Sequence, residues 1–220
     1  MRRLGATMPV LSVAACGGPL STLDTAGPAA GDIATLWWVM LAGAALLTLL
    51  VLTLLALAFV RRRTQREGGT KLWLGLLGLA MPAVILTALL GYALMLGERT
   101  IARPTPDVMT VEATGRQWAW TFRDPGGPES QGTLHIPAGR PIDVRLASAD
   151  VIHSFWVPRL GGKMDAIPGQ INILRIQADA PGVYEGVCAE FCGLNHTRHN
   201  FRVVAHGPAA WDARQRGEEP

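Results

Sequence analysis

Two long runs without a charged residue set the limits on this fold: Leu36 to Val60 and Leu72 to Gly97. An α-helix over the first rises about 38 Å at 1.5 Å per residue, enough to cross a hydrocarbon layer of about 30 Å with some tilt. Pro82 lies inside the second. It weakens or kinks a helix, but a bilayer accepts it where neighbouring groups satisfy the freed carbonyl. A helical hairpin buried in a soluble core is the plain alternative, and two such runs rarely share one core. Residues 36–97 therefore read as a transmembrane hairpin. Its connection, 61–71, holds Arg61, Arg62, Arg63, Arg66 and Lys71 against one acid, Glu67. Short basic loops stay on the cytoplasmic side, so both termini and all that follows Gly97 belong outside.

Charge divides along the same line. Up to Gly97 there are 7 basic residues against 3 acids; from Glu98 onward there are 13 against 14. The formal net charge of +3 thus comes from the anchor, and nucleic-acid binding is not expected. At the start, Arg2 and Arg3 precede a mildly apolar stretch ending Val13-Ala14-Ala15-Cys16-Gly17. Small residues before a cysteine resemble a bacterial lipoprotein processing site, so residues 1–15 read as a lipoprotein-type signal and Cys16 as the lipidated residue. Residues 16–35, rich in Gly, Pro, Ala, Ser and Thr, read as a linker.

Beyond the hairpin the pattern changes. Residues 98–107, with Pro104 and Pro106, read as a stalk. Residues 108–206 then show short strands with turn punctuation. Val108 to Phe122 is strand-like and ends at Asp124-Pro125-Gly126-Gly127-Pro128. Thr133 to Ile136 follows, with a turn at Pro137-Ala138-Gly139. Ile142 to Leu146 alternates apolar and charged residues as a half-buried strand does. Gln170 to Gln177 and Phe201 to Ala205 complete the set. Such spacing argues for a β-sandwich or barrel. Residues 207–220 read as a polar, frayed tail.

The chemistry gathers late in the chain. Cys188, Cys192, His196 and His199 fall within twelve residues, and His153 stands upstream beside Phe155, Trp156 and Pro158. Thiolates with imidazoles suit copper or zinc rather than magnesium or calcium. A structural Cys2His2 zinc site is open, with His153 or His199 as fourth ligand, although zinc fingers usually show two separated pairs. A blue-copper centre needs only one thiolate. Two thiolates could instead bridge two copper ions. A plain disulfide is a further reading, which an outer compartment permits.

The run Cys188-Ala189-Glu190-Phe191-Cys192-Gly193-Leu194-Asn195-His196 resembles the dinuclear CuA-binding loop, C-x-E-x-C-x-x-x-H-x-x-M, of subunit II of the haem-copper oxidases. Asp150-Val151-Ile152-His153-Ser154-Phe155 is similar to that family's D-V-x-H-S-aromatic segment. Lys163-Met164-Asp165-Ala166-Ile167-Pro168-Gly169 resembles its K-x-D-x-I-P-G continuation, and Gln117-Trp118-Ala119-Trp120 its Q-W-x-W segment. The likeness runs from about Leu20 to Ala205.

The resemblance implies a membrane-anchored α+β protein: a two-helix transmembrane hairpin followed by a cupredoxin-like Greek-key β-sandwich, residues 108–206, carrying CuA. It implies that His153 and His196 each ligate one copper, that Cys188 and Cys192 bridge both, and that the Glu190 carbonyl is a further ligand. The Glu190 carboxylate would face a magnesium or manganese ion shared with subunit I. Trp118 would be the surface aromatic through which an electron arrives from cytochrome c. On residues alone, Glu190 is a loop acid and Trp118 a core residue. The implied setting is the bacterial inner membrane, with subunit I and other oxidase subunits as partners, and the implied work is electron transfer within a proton-translocating oxidase. None of the five histidines lies in a span, so the chain alone lacks the means to hold haem and reduce dioxygen.

Two positions depart from that pattern. His199 stands where the family has Met, and imidazole is a harder, stronger donor than a thioether. We expect His199 to ligate, to stabilise the oxidised form and to lower the reduction potential. Met164 reads as packing. The acid that often precedes the second span has no clear counterpart, and no residue is assigned to proton uptake. Two competing readings are a membrane-tethered copper carrier or assembly factor, which C-x-x-x-C also fits, and a quinol-oxidase subunit II, which retention of the four ligands opposes.

Overall fold

A computed structural model describes residues 17–60, 69, 71–103, 105, 108–125 and 128–218. Cys16, the signal-like residues 1–15 and most of the basic connection, 61–68 and Thr70, lie outside the described residues. The first helix, α1, is Pro28–Val60. The second span starts at Lys71 as a wider π-type helix to Ala80 and continues as α2, Met81–Thr100. Pro82 lies inside a helix that runs unbroken from Lys71 to Thr100, just past the point where the wider π-type turns give way to α-helix. Both spans are long and apolar enough to cross a membrane.

The linker reading of 16–35 needs correction. At 33 residues α1 is about 50 Å long, well beyond the hydrocarbon thickness. Its first turns instead belong to the head: Ala30 and Ala34 are buried. Ahead of them the chain is stitched to the sandwich. The Ala26 N–H donates to the Arg159 carbonyl (2.7 Å), the Asp179 N–H to the Ala26 carbonyl (2.9 Å), and Arg159 to the Asp24 carbonyl and carboxylate. Small residues that look like a flexible tether are small because helix and head approach closely; a Cβ at Gly161 would stand 3.4 Å from the Ala29 Cβ.

The head is a sandwich of two five-stranded sheets. Its strands are β1 Met109–Arg116, β2 Ala119–Arg123, β3 Glu129–Gln131, β4 Thr133–Pro137, β5 Ile142–Ser148, β6 His153–Trp156, β7 Met164–Ala166, β8 Asn172–Ile176, β9 Gly182–Cys188 and β10 Asn200–His206. One sheet has the order β3-β2-β1-β5-β8 and the other β4-β10-β9-β6-β7. β1 pairs in parallel with β5, and β4 with β10; the remaining pairs are antiparallel. The single strand expected over Val108–Phe122 is a hairpin that reverses at Gln117-Trp118, whose peptide is cis.

Inward alternation fills the space between the sheets. Val111, Trp120, Phe122, Leu134, Ile136, Ile142, Val144, Leu146, Phe155 and Val203 are fully enclosed. Trp120 meets Phe155 edge-on at 5.7 Å and Phe201 at 5.5 Å, geometries that aromatic quadrupoles favour.

Residues 208–215, expected as part of a frayed tail, form a helix. Helix α3, Pro208–Gln215, buries Trp211 and sets Arg214 3.2 Å from the carboxylate of Asp124, itself almost wholly enclosed. A single aromatic in a polar segment gave little sign of docking. Burial raises the Asp124 pKa, and the hydrogen bond from Arg214 works against that rise. Arg214→Ala should therefore destabilise the head by about 3 kcal/mol at neutral pH, because a buried carboxylate loses its partner. An acid with a raised folded pKa gives stability below its unfolded value and loses it as pH climbs through the folded one. The deficit of the variant should thus shrink as pH falls toward 4, measured as the shift in the head's unfolding midpoint in the detergent-solubilised chain.

Candidate metal centre

Sheet adjacency brings distant residues to one point. β9 lies between β10 and β6, and ends at Cys188, which pairs with Phe155. The loop 189–199 spans from β9 to β10. Its ends are pinned by the Cys188 N–H donating to the His199 carbonyl (2.9 Å), and by the Ala189 N–H donating to the Ser154 carbonyl (2.9 Å). His153 opens β6 beside them.

The result is a closed cluster. The sulfurs of Cys188 and Cys192 stand 3.8 Å apart and are not bonded to each other. Three imidazoles turn Nδ1 toward them: His153 at 3.9 Å from Cys188, and His196 and His199 at 3.7 and 3.5 Å from Cys192. The Glu190 carbonyl lies 3.3 Å from the Cys188 sulfur. The potential ligand atoms of His153, Cys188, Cys192 and His199 all fall within 4.8 Å of one another. These four are buried, while His196, in a short 3-10 turn over His196–Arg198, is half-buried.

Burial sets the protonation of the cluster. Burial, then the neighbouring Cys188, pushes the Cys192 thiol up to about 11. Burial, then His153, pushes His199 down to about 4. The cluster therefore holds a neutral His199 imidazole and a protonated Cys192 thiol, and a metal bound there would displace the thiol proton. The His153 Nε2 sits 2.7 Å from the Asp150 carboxylate, which fixes a proton on Nε2 and leaves the Nδ1 lone pair facing the sulfurs. Burial acts to raise the Asp150 pKa. The Gln117 N–H, His153 and the Val151 N–H outweigh it, and the pKa is lowered. Two soft sulfurs, three ring nitrogens and a carbonyl form a donor set suited to copper.

The other sequence-derived positions fall around this cluster. Trp118 is half-buried rather than a core residue; its indole N–H donates to the Cys192 carbonyl at 3.2 Å. Trp120 is the core indole, stacked 5.6 Å from His199. The Glu190 carboxylate lies 3.7 Å from the Lys163 ammonium. Met164 packs against the core.

Gly115, which sequence reasoning passed over, lies beneath the His153 ring. A Cβ there would come within 2.9 Å of His153 Cδ2. Gly115→Ala should displace the imidazole and weaken copper binding about tenfold, checked by copper titration against a competing chelator.

Fold and site together define a membrane-anchored, cupredoxin-like domain with a buried Cys2His2 cluster that fits CuA. Residues 128–205 match the family described as cytochrome c oxidase subunit II, periplasmic domain. Over that stretch the chain is similar to the periplasmic domain of cytochrome c oxidase subunit II. It is similar to cytochrome c oxidase subunit 2 of Alkalihalophilus pseudofirmus, 36% identical over 137 residues, covering 59% of this chain and 40% of the relative. It is also similar to that of Thermostichus vulcanus, 41% identical over 111 residues, covering 50% and 33%. The chain thus spans less than half the length of these relatives. A crystal structure of the periplasmic domain of subunit II of cytochrome oxidase from Bradyrhizobium japonicum is 29% identical, covers 52% of this chain and 95% of that one, and superposes with a TM-score of 0.49.

Proposed function

We propose that this chain is the electron-transfer subunit of a haem-copper oxidase, taking electrons from a cytochrome c and passing them to haem in subunit I. The observation that carries this is the pair of buried, unbonded thiols ringed by three imidazole nitrogens. Cys188 and Cys192 would bridge two coppers, His153 and His196 would cap the two ends, and the Glu190 carbonyl and His199 would complete the set. A copper pair held there supplies a one-electron store that needs little rearrangement. The protein contributes rigidity: His153 and Cys188 sit on strand ends, the loop that carries Cys192 and His196 is pinned by backbone hydrogen bonds, and His199 stacks on Trp120. Trp118, half-exposed and bonded to the Cys192 carbonyl, is suited to receive the electron.

The Glu190 carboxylate would serve a magnesium or manganese ion shared with subunit I, exchanging Lys163 for that ion on assembly. The spans would place the head on the periplasmic side of a bacterial inner membrane, with the basic connection 61–71 inside. The limits 108–206 for the copper domain, lipidation at Cys16 and a role in a proton-translocating complex belong to the same reading. Burial opposes the carrier alternative, since exchangeable sites keep their ligands accessible, whereas Cys188 and Cys192 are 5% and 1% exposed. The test is purification of the complex from native membranes. Co-purification of a haem-bearing partner and about two coppers per chain is expected; the chain alone with easily removed cuprous ion would overturn the proposal.

A further inference from the structure

The hairpin turn between β1 and β2 touches both halves of the metal centre. The Gln117 backbone N–H donates to one Asp150 carboxylate oxygen at 2.7 Å. The other oxygen of that carboxylate holds His153 Nε2 at 2.7 Å. The Gln117 side-chain amide donates to the Cys192 carbonyl at 2.7 Å, and the neighbouring Trp118 indole N–H converges on the same oxygen. His153 and Cys192 lie on different segments of the chain, and this turn joins them by hydrogen bonds. The fit is close: a Cβ at Gly193, where φ is +115°, would come within 2.9 Å of the Gln117 amide nitrogen.

We propose that Gln117 is a positioning residue that braces the two halves of the centre against each other, acting on the histidine half through Asp150 and on the thiolate half through the Cys192 carbonyl. It touches no ligating atom. Each bond of the chain is short and aligned, and a carboxylate acceptor makes two of them charge-assisted. A loop carbonyl held by two donors cannot swing, so the Cys192 sulfur stays in register with His153. Without the brace, Cys192 keeps only the longer bond from Trp118, while the rest of the 189–199 loop is held at its ends, through its own turn and by Lys163 at Ala189 and Glu190.

The inference rests in part on the copper reading, and its test has two arms so that the two can fail separately. In the copper-loaded full chain, Gln117→Leu and Asp150→Asn should each speed copper loss to a chelator about tenfold, the usual cost of removing an outer-shell partner. The double variant should also lose it about tenfold faster rather than about a hundredfold, because both changes cut one chain of bonds. Additive effects, or no effect of Gln117→Leu, would overturn the brace. In the metal-free full chain, Asp150→Asn should speed amide exchange in the 192–196 segment, to which Asp150 makes no hydrogen bond in the described structure. Unchanged exchange there would overturn it as well. If wild type holds no copper pair, the second arm alone decides.

Discussion

Cys192→Ser should abolish the two-copper centre outright. A serine hydroxyl is a hard donor that stays protonated near neutral pH, so it cannot replace a thiolate shared between two soft ions. The position also touches most of the site: the Cys192 sulfur is 3.8 Å from Cys188, 3.7 Å from His196 and 3.5 Å from His199. With one thiolate left, the donors describe a mononuclear site. Copper content should fall from about two to about one per chain, and the EPR spectrum should change from one shared over two nuclei to one confined to a single copper. The fold should survive, because Ser is close in volume and the sandwich core lies below the site. Retention of two coppers with an unchanged spectrum would remove the bridging role from this residue.

His199→Met should raise the reduction potential. His199 Nδ1 stands 3.5 Å from the Cys192 sulfur, closer than His196 at 3.7 Å, and burial keeps the ring neutral with a lone pair to offer. As a stronger and harder donor than a thioether, it favours the oxidised state. Each tenfold of that preference lowers a one-electron potential by about 59 mV. Methionine should therefore move the potential upward by about that amount and shift the optical bands. The side-chain volumes are similar, and Met adapts to irregular space, so packing against Trp120 should persist. An unchanged potential and spectrum in the purified chain would show that His199 turns away from the metal.

Much of this was legible in the chain itself, and the exceptions have physical reasons. The uncharged runs marked both spans, yet the first helix begins at Pro28, because Gly27, Ala29, Ala30 and Ala34 serve close packing against the head and not flexibility. β5 was plain from its alternation. β9 was missed since its inward positions are Tyr184, Gly186 and Cys188, only one of them large and apolar. The β1–β2 reversal was hidden because Gln117 and Trp118 are not turn formers; they are held there by Asp150 and Cys192. α3 rests on one tryptophan and one ion pair. The cluster's residue types pointed to copper or zinc, but nothing in spacing alone could bring His153 to a loop 35 residues away. The adjacency of β6, β9 and β10 does that. Asp150 and Gln117 were visible only as parts of motifs, since a residue that holds another through a hydrogen bond leaves no periodic trace.

The account turns on two sulfurs shared by two metal ions. The most direct test is EPR with copper quantitation on the full chain purified from membranes under native conditions. The account predicts about two coppers per chain and one unpaired electron spread over both nuclei. A single-copper spectrum, zinc in place of copper, or a Cys188–Cys192 disulfide in the assembled protein would contradict it.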